Sequence, residues 1–339
     1  MDSDADQKII FISWTSFARH TELLGKSLDA KIFYIGKYIK FKGLLWKLLS
    51  PVDYILKSLK SLKLILKNKP DVVLVQNPPS IAPVIIVSFS KIFRFKTVID
   101  SHNGAFEKPW VDIPFHKWAL RNATIVTIHN NVLFDRLTAD KNFRNINFKI
   151  LNSRLSDFPA GLKEISQEKY FLIISSFSGD EPMEILLQGI DNFLKHNKDF
   201  NFKITGNYKK NIQLYNQYCG KNNIEFLGFV DDSQYDYLVV NAYGIIALST
   251  RDDVQQFALM EAVGAEVPFI SNKNKTNIDL FEDKMVLIEN NSDKVSDGVM
   301  DFINNKNKLN ECIIDIKIQQ QIKWEKEFDM LLKALNSNK

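Results

Sequence analysis

The chain has 339 residues, 45% of them hydrophobic and 25% charged, with a net charge of only +4; this composition is that of a soluble globular protein long enough for two domains. Its two cysteines, Cys219 and Cys312, lie far apart without metal-ligating neighbours, which excludes a disulfide framework and predicts reduced thiols in a cytoplasmic protein. No apolar run approaches the roughly 18 residues of a membrane-spanning helix, and the acidic, polar start of the chain is not expected to be a signal peptide.

The first predicted element is a buried strand over residues 8–14, which is followed by a polar turn and a helix. This order is typical of the first unit of a doubly wound α/β domain. No GxGxxG pattern follows the strand, so a dinucleotide-binding fingerprint is not predicted. The residues placed where the turn would meet a ligand are Arg19 and His20. The alternative interpretation of this segment is a solvated helix start.

A strongly basic stretch lies between Gly36 and Pro70. It holds nine lysines against one acid, Asp53, with aromatic and aliphatic residues interleaved. Within it, residues 54–67 form a predicted helix on which Lys57, Lys60, Lys63 and Lys67 share one face and Leu and Ile form the other. Such a basic amphipathic surface, with Phe41 and Trp46 nearby, favours attachment to an anionic membrane. The alternative is an ordinary surface helix packed on its domain, and nucleic acid is not predicted because no stacking module is present.

Two further predicted strands end in polar residues. The strand over residues 71–76 ends at the sequence NPPS, whose prolines set a rigid turn, and the strand over residues 96–100 ends at DSHNG. Ligands of open α/β sheets bind beyond the carboxyl ends of the strands. The candidate residues at this edge are Asp100, His102, Asn103 and Gly104. His129, which ends the next predicted strand, is interpreted as structural.

A hinge is predicted over residues 152–167, and a second α/β unit begins with a strand over residues 170–175. The strand that follows ends at Gly206 and Asn207, where a glycine lets the backbone approach a nucleotide. Further along, the segment from Ala247 to Ile270 has the order strand, polar loop, helix and strand, which is a βαβ unit.

The polar loop of this βαβ unit is the main candidate for an anion site. It contains Thr250, Arg251, Asp253 and Gln256, and the N-terminus of the next helix favours a bound anion. Glu261 lies about one turn into that helix, within reach of the hydroxyl groups of a bound ligand.

This segment resembles the donor-sugar site of GT-B glycosyltransferases, including the family-4-type transferases. Many of them carry an acidic residue, seven further residues and a Glu, as Asp253 and Glu261 do here, followed by a small-residue turn and a Pro-containing strand. The VQNPPS and VIDSHN segments are similar to those of the chitobiosyl-diphosphodolichol β-mannosyltransferase family. The resemblance implies an α/β protein with the GT-B fold, in which two Rossmann-like, doubly wound domains face a central cleft and the C-terminal helix crosses back to the first domain.

The resemblance also implies a domain organisation and an activity. Residues 1–160 would bind the acceptor, residues 161–315 would bind the nucleotide-sugar, and residues 316–339 would form the returning helix. The expected reaction moves a sugar from a UDP- or GDP-linked donor to a glycan acceptor, which the basic stretch suggests is lipid-linked, in bacterial-type surface polysaccharide or glycoconjugate assembly. The enzyme would lie at the inner face of the cytoplasmic membrane. The alternative is a non-catalytic sugar-nucleotide or glycan-binding module on the same fold.

Carried over residue by residue, the resemblance predicts three groups of site residues. His102 would contact the donor sugar or the reacting centre, and Asp100, His102 and His20 are candidates for a base if the enzyme is inverting. The predicted donor contacts are Ser176, Ser178, Gly206, Asn207, Thr250, Arg251, Asp253, Gln256 and Glu261. The predicted acceptor-side residues are Trp14, Phe17, Arg19, Asn103 and Gly104. No cofactor and no metal are expected, because Arg251 and the helix N-terminus would stabilise the leaving diphosphate and no paired His/Asp metal spacing occurs.

Overall fold

The computed structural model describes residues 7–41, 43–164 and 168–337, and of residues 44–47 it describes the backbone only. Some of the residues singled out from the sequence lie outside this description: Lys42, the side chains of Trp46 and Lys47, and the end of the predicted hinge.

The chain divides into two compact units. The first comprises residues 1–154 together with residues 324–339, and the second comprises residues 155–323. The first unit is therefore built from both ends of the sequence.

The first unit contains a six-stranded sheet whose strands are all parallel. Its strands are β1 (Ile9–Ser13), β2 (Lys31–Tyr34), β3 (Val72–Asn77), β4 (Lys96–Ser101), β5 (Ile125–Ile128) and β6 (Phe148–Ile150). They lie in the order β2-β1-β3-β4-β5-β6, so the direction of winding reverses beside β1, as in a doubly wound fold. The strands are rich in Val and Ile because helices cover both faces of the sheet.

The helices of the first unit follow the strands in alternation. They are α1 (Arg19–Ser27), α2 (Gly43–Asn68), α3 (Ile81–Phe93), α4 (His116–Asn122) and α5 (Asn131–Ala139). The sequence pattern predicts a single helix over residues 106–119, and this prediction is wrong: a short 3-10 helix at Trp110–Asp112 precedes α4. Pro109 and Pro114 explain the interruption, because proline lacks the backbone donor that a continuous helix requires.

One lysine of the basic face that the sequence predicts for α2 is buried instead. Lys57 is buried and its Nζ lies 3.0 Å from Oδ2 of the buried Asp53, whose other oxygen accepts the backbone N–H groups of Tyr38 and Ile39. Burial raises the pKa of Asp53, but the hydrogen bonds from Lys57 and these backbone groups outweigh it and lower the pKa below its ordinary value. The predicted basic face is therefore wrong at Lys57.

The exposed side of α2 mixes lysines with large apolar side chains. The exposed lysines are Lys60, Lys63 and Lys67. The exposed apolar residues are Leu48, Val52, Ile55, Leu56, Leu59 and Leu66. Among the residues that the structure describes, no helix combines the length and hydropathy needed to cross a membrane.

The second unit contains another six-stranded parallel sheet. Its strands are β7 (Tyr170–Ile174), β8 (Asn201–Thr205), β9 (Ile224–Gly228), β10 (Gly244–Ala247), β11 (Phe269–Asn272) and β12 (Val286–Ile288). They lie in the order β12-β11-β10-β7-β8-β9, which is the strand order of a Rossmann fold. The predicted α/β class with two doubly wound, Rossmann-like domains is confirmed.

The helices of the second unit include the longest one of the described chain, which ends in the first unit. They are α6 (Met183–Leu194), α7 (Ile212–Tyr218), α8 (Asp232–Val240), α9 (Phe257–Gly264), α10 (Lys275–Phe281), α11 (Ser292–Asn304) and α12 (Lys306–Asn336). The last turns of α12 bury Leu331 and Leu335 in the core of the first unit beside Phe11. Glu327 accepts hydrogen bonds of 2.7 Å from the backbone and side chain of Asn152. The predicted return of the C-terminal helix to the first domain is confirmed.

Candidate functional site

A buried carboxylate lies at the carboxyl end of β4 in the first unit. The sheet register pairs Asp100 with Gln76 on β3 and with Thr127 on β5, which places it in the middle of the ligand-binding edge. Asp100 is fully buried, and Thr127 Oγ1 donates a hydrogen bond of 2.9 Å to its Oδ1. Such a bond fixes the orientation of the carboxylate.

Three histidines from separate segments face this carboxylate. Nε2 of His20, on α1, and Nε2 of His102, just after β4, lie 3.3 and 3.5 Å from Oδ2 of Asp100. Nε2 of His129, just after β5, lies 3.6 Å from Oδ1. The structure thus brings together the three predicted catalytic candidates, and it adds His129, which the sequence pattern left as structural.

Charge and burial oppose each other in this cluster. Burial raises the pKa of Asp100, but electrostatic interaction with the His20 and His129 imidazoles and the side-chain contacts with His102 and His20 outweigh it and hold the pKa well below its usual range. Burial also lowers the pKa of His129 to about 4, although the Asp100 carboxylate opposes the shift. At neutral pH the cluster therefore holds an ionised Asp100 beside a neutral His129.

The predicted acceptor-side residues differ in accessibility. Trp14 belongs to the core: its side chain is 3% exposed, and its Nε1 donates a hydrogen bond of 3.0 Å to Ser61 Oγ. Phe17, by contrast, is 55% exposed and available for contact. The other predicted residues, at the start of α1 and of the 3-10 helix after β4, are Arg19, Asn103 and Gly104.

In the second unit, the loop after β7 is tied together by its own side chains. Ser176 Oγ donates a 2.8 Å hydrogen bond to Glu181 Oε1, and Ser178 Oγ donates one of 2.5 Å to Asp180 Oδ1. The two serines predicted to contact phosphate are thus bonded to acids of the same loop. Their backbone N–H groups also lie near Glu181, at 3.2 and 3.4 Å from its carboxylate oxygens.

A lysine that is not among the predicted donor contacts lies against this loop. Lys210, in the 3-10 helix Tyr208–Asn211 after β8, donates a hydrogen bond of 2.6 Å from Nζ to the carbonyl of Ser176. The strands β7 and β8 are neighbours in the sheet, so the segments after them meet at one edge. Its position just after Gly206 and Asn207 is the signal in the sequence that could have identified it.

The loop after β10 is joined to the loop after β7. Thr250 donates a backbone hydrogen bond of 2.8 Å to the carbonyl of Asp180. Arg251 donates from Nε and Nη2 to Oδ1 of the buried Asp253 at 3.3 and 3.2 Å. The predicted residues Thr250, Arg251 and Asp253 therefore belong to one connected structure that includes the serine loop.

The helix α9 carries the predicted carboxylate into this region. Glu261 is 4% exposed, and the hydroxyl of Tyr235, on α8, donates a hydrogen bond of 2.6 Å to its Oε2. Gln256 immediately precedes the helix, and its Oε1 accepts a long hydrogen bond of 3.4 Å from Ser271 Oγ. Tyr235 is a partner that the sequence pattern did not identify.

The backbone at the end of β8 requires a glycine. Gly206 has φ +104, and a Cβ atom there would lie 1.7 Å from the carbonyl oxygen of Ser175. Its N–H donates a hydrogen bond of 2.8 Å to the carbonyl of Gly228. The absence of a side chain thus lets the backbone of Gly206 and Asn207 pass directly beside the serine loop.

All of the predicted donor-site residues lie in the part of the chain that matches a known family model. Residues 157–319 match the model described as "Glycosyl transferases group 1". This match spans nearly the whole of the second unit, residues 155–323. The predicted enzyme class, glycosyltransferase, is confirmed by this match. A comparison of the sequence with curated proteins gives no match.

Solved structures of other proteins resemble this chain in fold, two of them over nearly its whole length. Anabaena Alr3699/HepE in complex with UDP and glucose is 14% identical, with a TM-score of 0.69 over 97% of this chain and 100% of the other. A glycosyltransferase from Rickettsia africae is 15% identical, with a TM-score of 0.68 over 98% and 100% of the two chains. TarM of S. aureus is 17% identical and covers 78% of this chain and 55% of its own, with a TM-score of 0.59. These likenesses support the GT-B fold.

Proposed function

We propose that this glycosyltransferase moves a sugar from a UDP- or GDP-linked donor, held by its second unit, to a glycan acceptor. The observation that carries the proposal is the connected set of loops after β7, β8 and β10, which leads to the buried Glu261 in α9. UDP-sugars are the first donors to test, because Alr3699/HepE, with the same fold, is described in complex with UDP-glucose.

The donor would lie at the carboxyl edge of the second sheet. Glu261, oriented by Tyr235, would accept hydrogen bonds from ribose or sugar hydroxyls. The N-terminus of α9 would stabilise the charge that develops on the leaving diphosphate, assisted by Lys210 and by Arg251 once it turns from Asp253. This arrangement needs no metal at the diphosphate.

The acceptor side is assigned to the first unit. The carboxylate of Asp100 and the imidazoles of His20 and His102 would contact the reacting groups, and they are the groups available to take up the proton of an acceptor hydroxyl. Of these side chains, that of His102 is 32% exposed, whereas those of His20 and Asp100 are 9% and 0% exposed. His102 is therefore the member that a substrate can reach directly.

A lipid-linked acceptor at an anionic membrane is supported by the exposed side of α2. Leu59 is 58% exposed and Ile55 is 58% exposed, and exposed lysines lie on the same helix. Apolar side chains that enter the headgroup region, together with lysines that pair with anionic lipids, are the features of an interfacial helix. The proposed setting is the inner face of the cytoplasmic membrane, in the assembly of surface polysaccharides or glycoconjugates.

Donor binding and turnover can be separated experimentally. Purified protein is screened for thermal stabilisation by UDP-, GDP- and dTDP-sugars, and then for donor hydrolysis and for transfer to membrane extracts. We expect Glu261→Ala to weaken donor binding and His102→Ala to lower turnover more than binding. Stabilisation without any turnover would favour a non-catalytic binding module, and unchanged behaviour of both variants would refute the residue assignments.

Membrane attachment is tested by sedimentation with vesicles that contain or lack anionic lipid, at low and high salt. We expect binding to anionic vesicles that weakens as salt rises and is reduced by Leu59→Asp. The matched control is Ile318→Asp, because Ile318 is 54% exposed on α12 in the second unit. Equal binding of the two variants, or no salt-sensitive binding at all, would refute the membrane proposal.

A further inference from the structure

The spacing within the histidine cluster of the first unit is not that of direct hydrogen bonds. The three distances from imidazole Nε2 to the Asp100 carboxylate are 3.3, 3.5 and 3.6 Å, whereas N–H···O bonds are typically about 2.7–3.2 Å. Asp100 Oδ2, His102 Nε2 and His129 Nε2 are buried and have no hydrogen-bond partner among the described residues. Buried polar atoms without a partner are uncommon and call for an explanation.

The tautomer of His129 leaves a lone pair of Nε2 facing the Asp100 carboxylate. Its Nδ1 lies 3.1 Å from the carbonyl of Leu151, and a carbonyl oxygen can only accept, so Nδ1 carries the proton. In the neutral ring, Nε2 then directs a lone pair towards Asp100 Oδ1. Two acceptors that face each other in a buried place repel unless a cation lies between them.

We propose that His20, Asp100, His102 and His129 bind a divalent transition-metal ion of the Zn²⁺ type. The four ligand atoms all lie within 4.8 Å of one another. Tetrahedral zinc with bonds of about 2.0–2.2 Å holds its ligand atoms roughly 3.3–3.6 Å apart, which agrees with the distances of 3.3 and 3.5 Å from His20 Nε2 and His102 Nε2 to Asp100 Oδ2. Three imidazoles and one carboxylate also form a ligand set suited to zinc rather than to Mg²⁺ or Ca²⁺.

The groups around the ligands have the arrangement found around bound metals. Metal-binding histidines usually donate their second ring N–H to a carbonyl or carboxylate, as His129 does to Leu151, and ligating carboxylates are themselves hydrogen-bonded, as Asp100 is by Thr127. The proposal departs from the sequence prediction of no metal, which could not anticipate this site because its four ligands come from three separate segments.

A failure of the metal proposal can be distinguished from a failure of the sugar-transfer proposal, because metal content is measured without donor or acceptor. A bound ion would occupy the lone pairs that a general base needs, so the metal content also decides between these two roles of His20 and His102.

The test is metal analysis of the full chain. Protein treated with a chelator is titrated with Zn²⁺ against a chromogenic chelator and, separately, with Co²⁺, whose visible absorption reports tetrahedral coordination. We expect about one equivalent per chain, and at least tenfold weaker binding in His102→Ala and His129→Gln. The matched control is His196→Gln, which removes an exposed histidine outside the cluster.

Two results would overturn the proposal. One is a wild-type protein that binds less than stoichiometric Zn²⁺ and gives no tetrahedral Co²⁺ spectrum. The other is a His102→Ala protein that keeps the affinity of His196→Gln. Because His102 is partly exposed, its variant should remain folded even if His129→Gln does not, and circular dichroism of each variant verifies this.

Discussion

The conformation of Gly206 predicts that the smallest possible side chain there will disrupt the donor loop. In Gly206→Ala, the new Cβ would lie 1.7 Å from the carbonyl oxygen of Ser175 at a φ of +104. A non-glycine residue in such a sparsely populated region costs about 1–3 kcal/mol. The backbone must also move to remove the overlap, because the atom it meets is a carbonyl and not the end of a flexible side chain.

The expected loss of stability is therefore at least about 2 kcal/mol. For a unit of this size, each kcal/mol lowers the melting temperature by roughly 2–4 °C, so a decrease of at least about 4 °C is expected. Because Ser175 begins the loop that carries Ser176 and Ser178, we also expect UDP to bind at least tenfold more weakly, which corresponds to about 1.4 kcal/mol.

The assay is thermal unfolding by circular dichroism, combined with titration calorimetry with UDP. The matched control is Gly179→Ala in the same loop, where a Cβ atom would meet nothing within 4 Å and φ is not positive. A Gly206→Ala protein that melts within about 1 °C of Gly179→Ala and binds UDP equally well would refute the reasoning.

Three further predictions concern charged and hydrogen-bonded pairs. Lys210→Ala should weaken UDP binding about tenfold in the same titration, whereas Lys209→Ala, which removes the same charge one position earlier, should not; equal affinities would exclude a role for Lys210. Tyr235→Phe removes a hydrogen-bond donor from the buried carboxyl group of Glu261 and should cost about 1–3 kcal/mol in urea unfolding, and an unchanged unfolding midpoint would contradict this. Asp53→Asn leaves the buried Lys57 without its anion and should cost about 3–5 kcal/mol. In the wild type, folding lowers the pKa of Asp53. The stabilisation that ionised Asp53 gives the folded state is therefore complete above the unfolded pKa of about 3.9 and is lost as the pH falls through the folded pKa. The free energy of unfolding measured from pH 6 to pH 3 should show this loss in the wild type and not in Asp53→Asn.

The strands and the α/β fold class could be predicted from the sequence because the strands of a parallel sheet covered on both faces are nearly continuous apolar runs. The runs KIIFISW, DVVLVQ and YFLIIS correspond to β1, β3 and β7. The ends of these runs also identify the ligand-binding edge, since polar residues follow them directly. Asp100, His102, Asp253 and Glu261 are therefore predicted as site residues from their positions relative to the strands.

The segment between Phe106 and Ala119 shows where pattern alone failed. Its aromatic residues have helical spacing, but Pro109 and Pro114 interrupt the backbone hydrogen bonds that a helix needs. The predicted exposure of Lys57 was also wrong, because its buried partner Asp53 is on the same helix and both turn inward. A period of 3.6 residues indicates which side chains share a face and does not indicate which face is buried.

The sequence by itself determined the two α/β units and, through a family resemblance, the glycosyltransferase class, and it predicts the edge where ligands bind. Only the tertiary structure decided which side chains meet there. The register of β4 and β5 brings His129 to Asp100, and the sheet order brings Lys210 to Ser176. Contacts between residues far apart in the chain depend on strand order and register, and these arise from packing of the whole core rather than from any local pattern of residues.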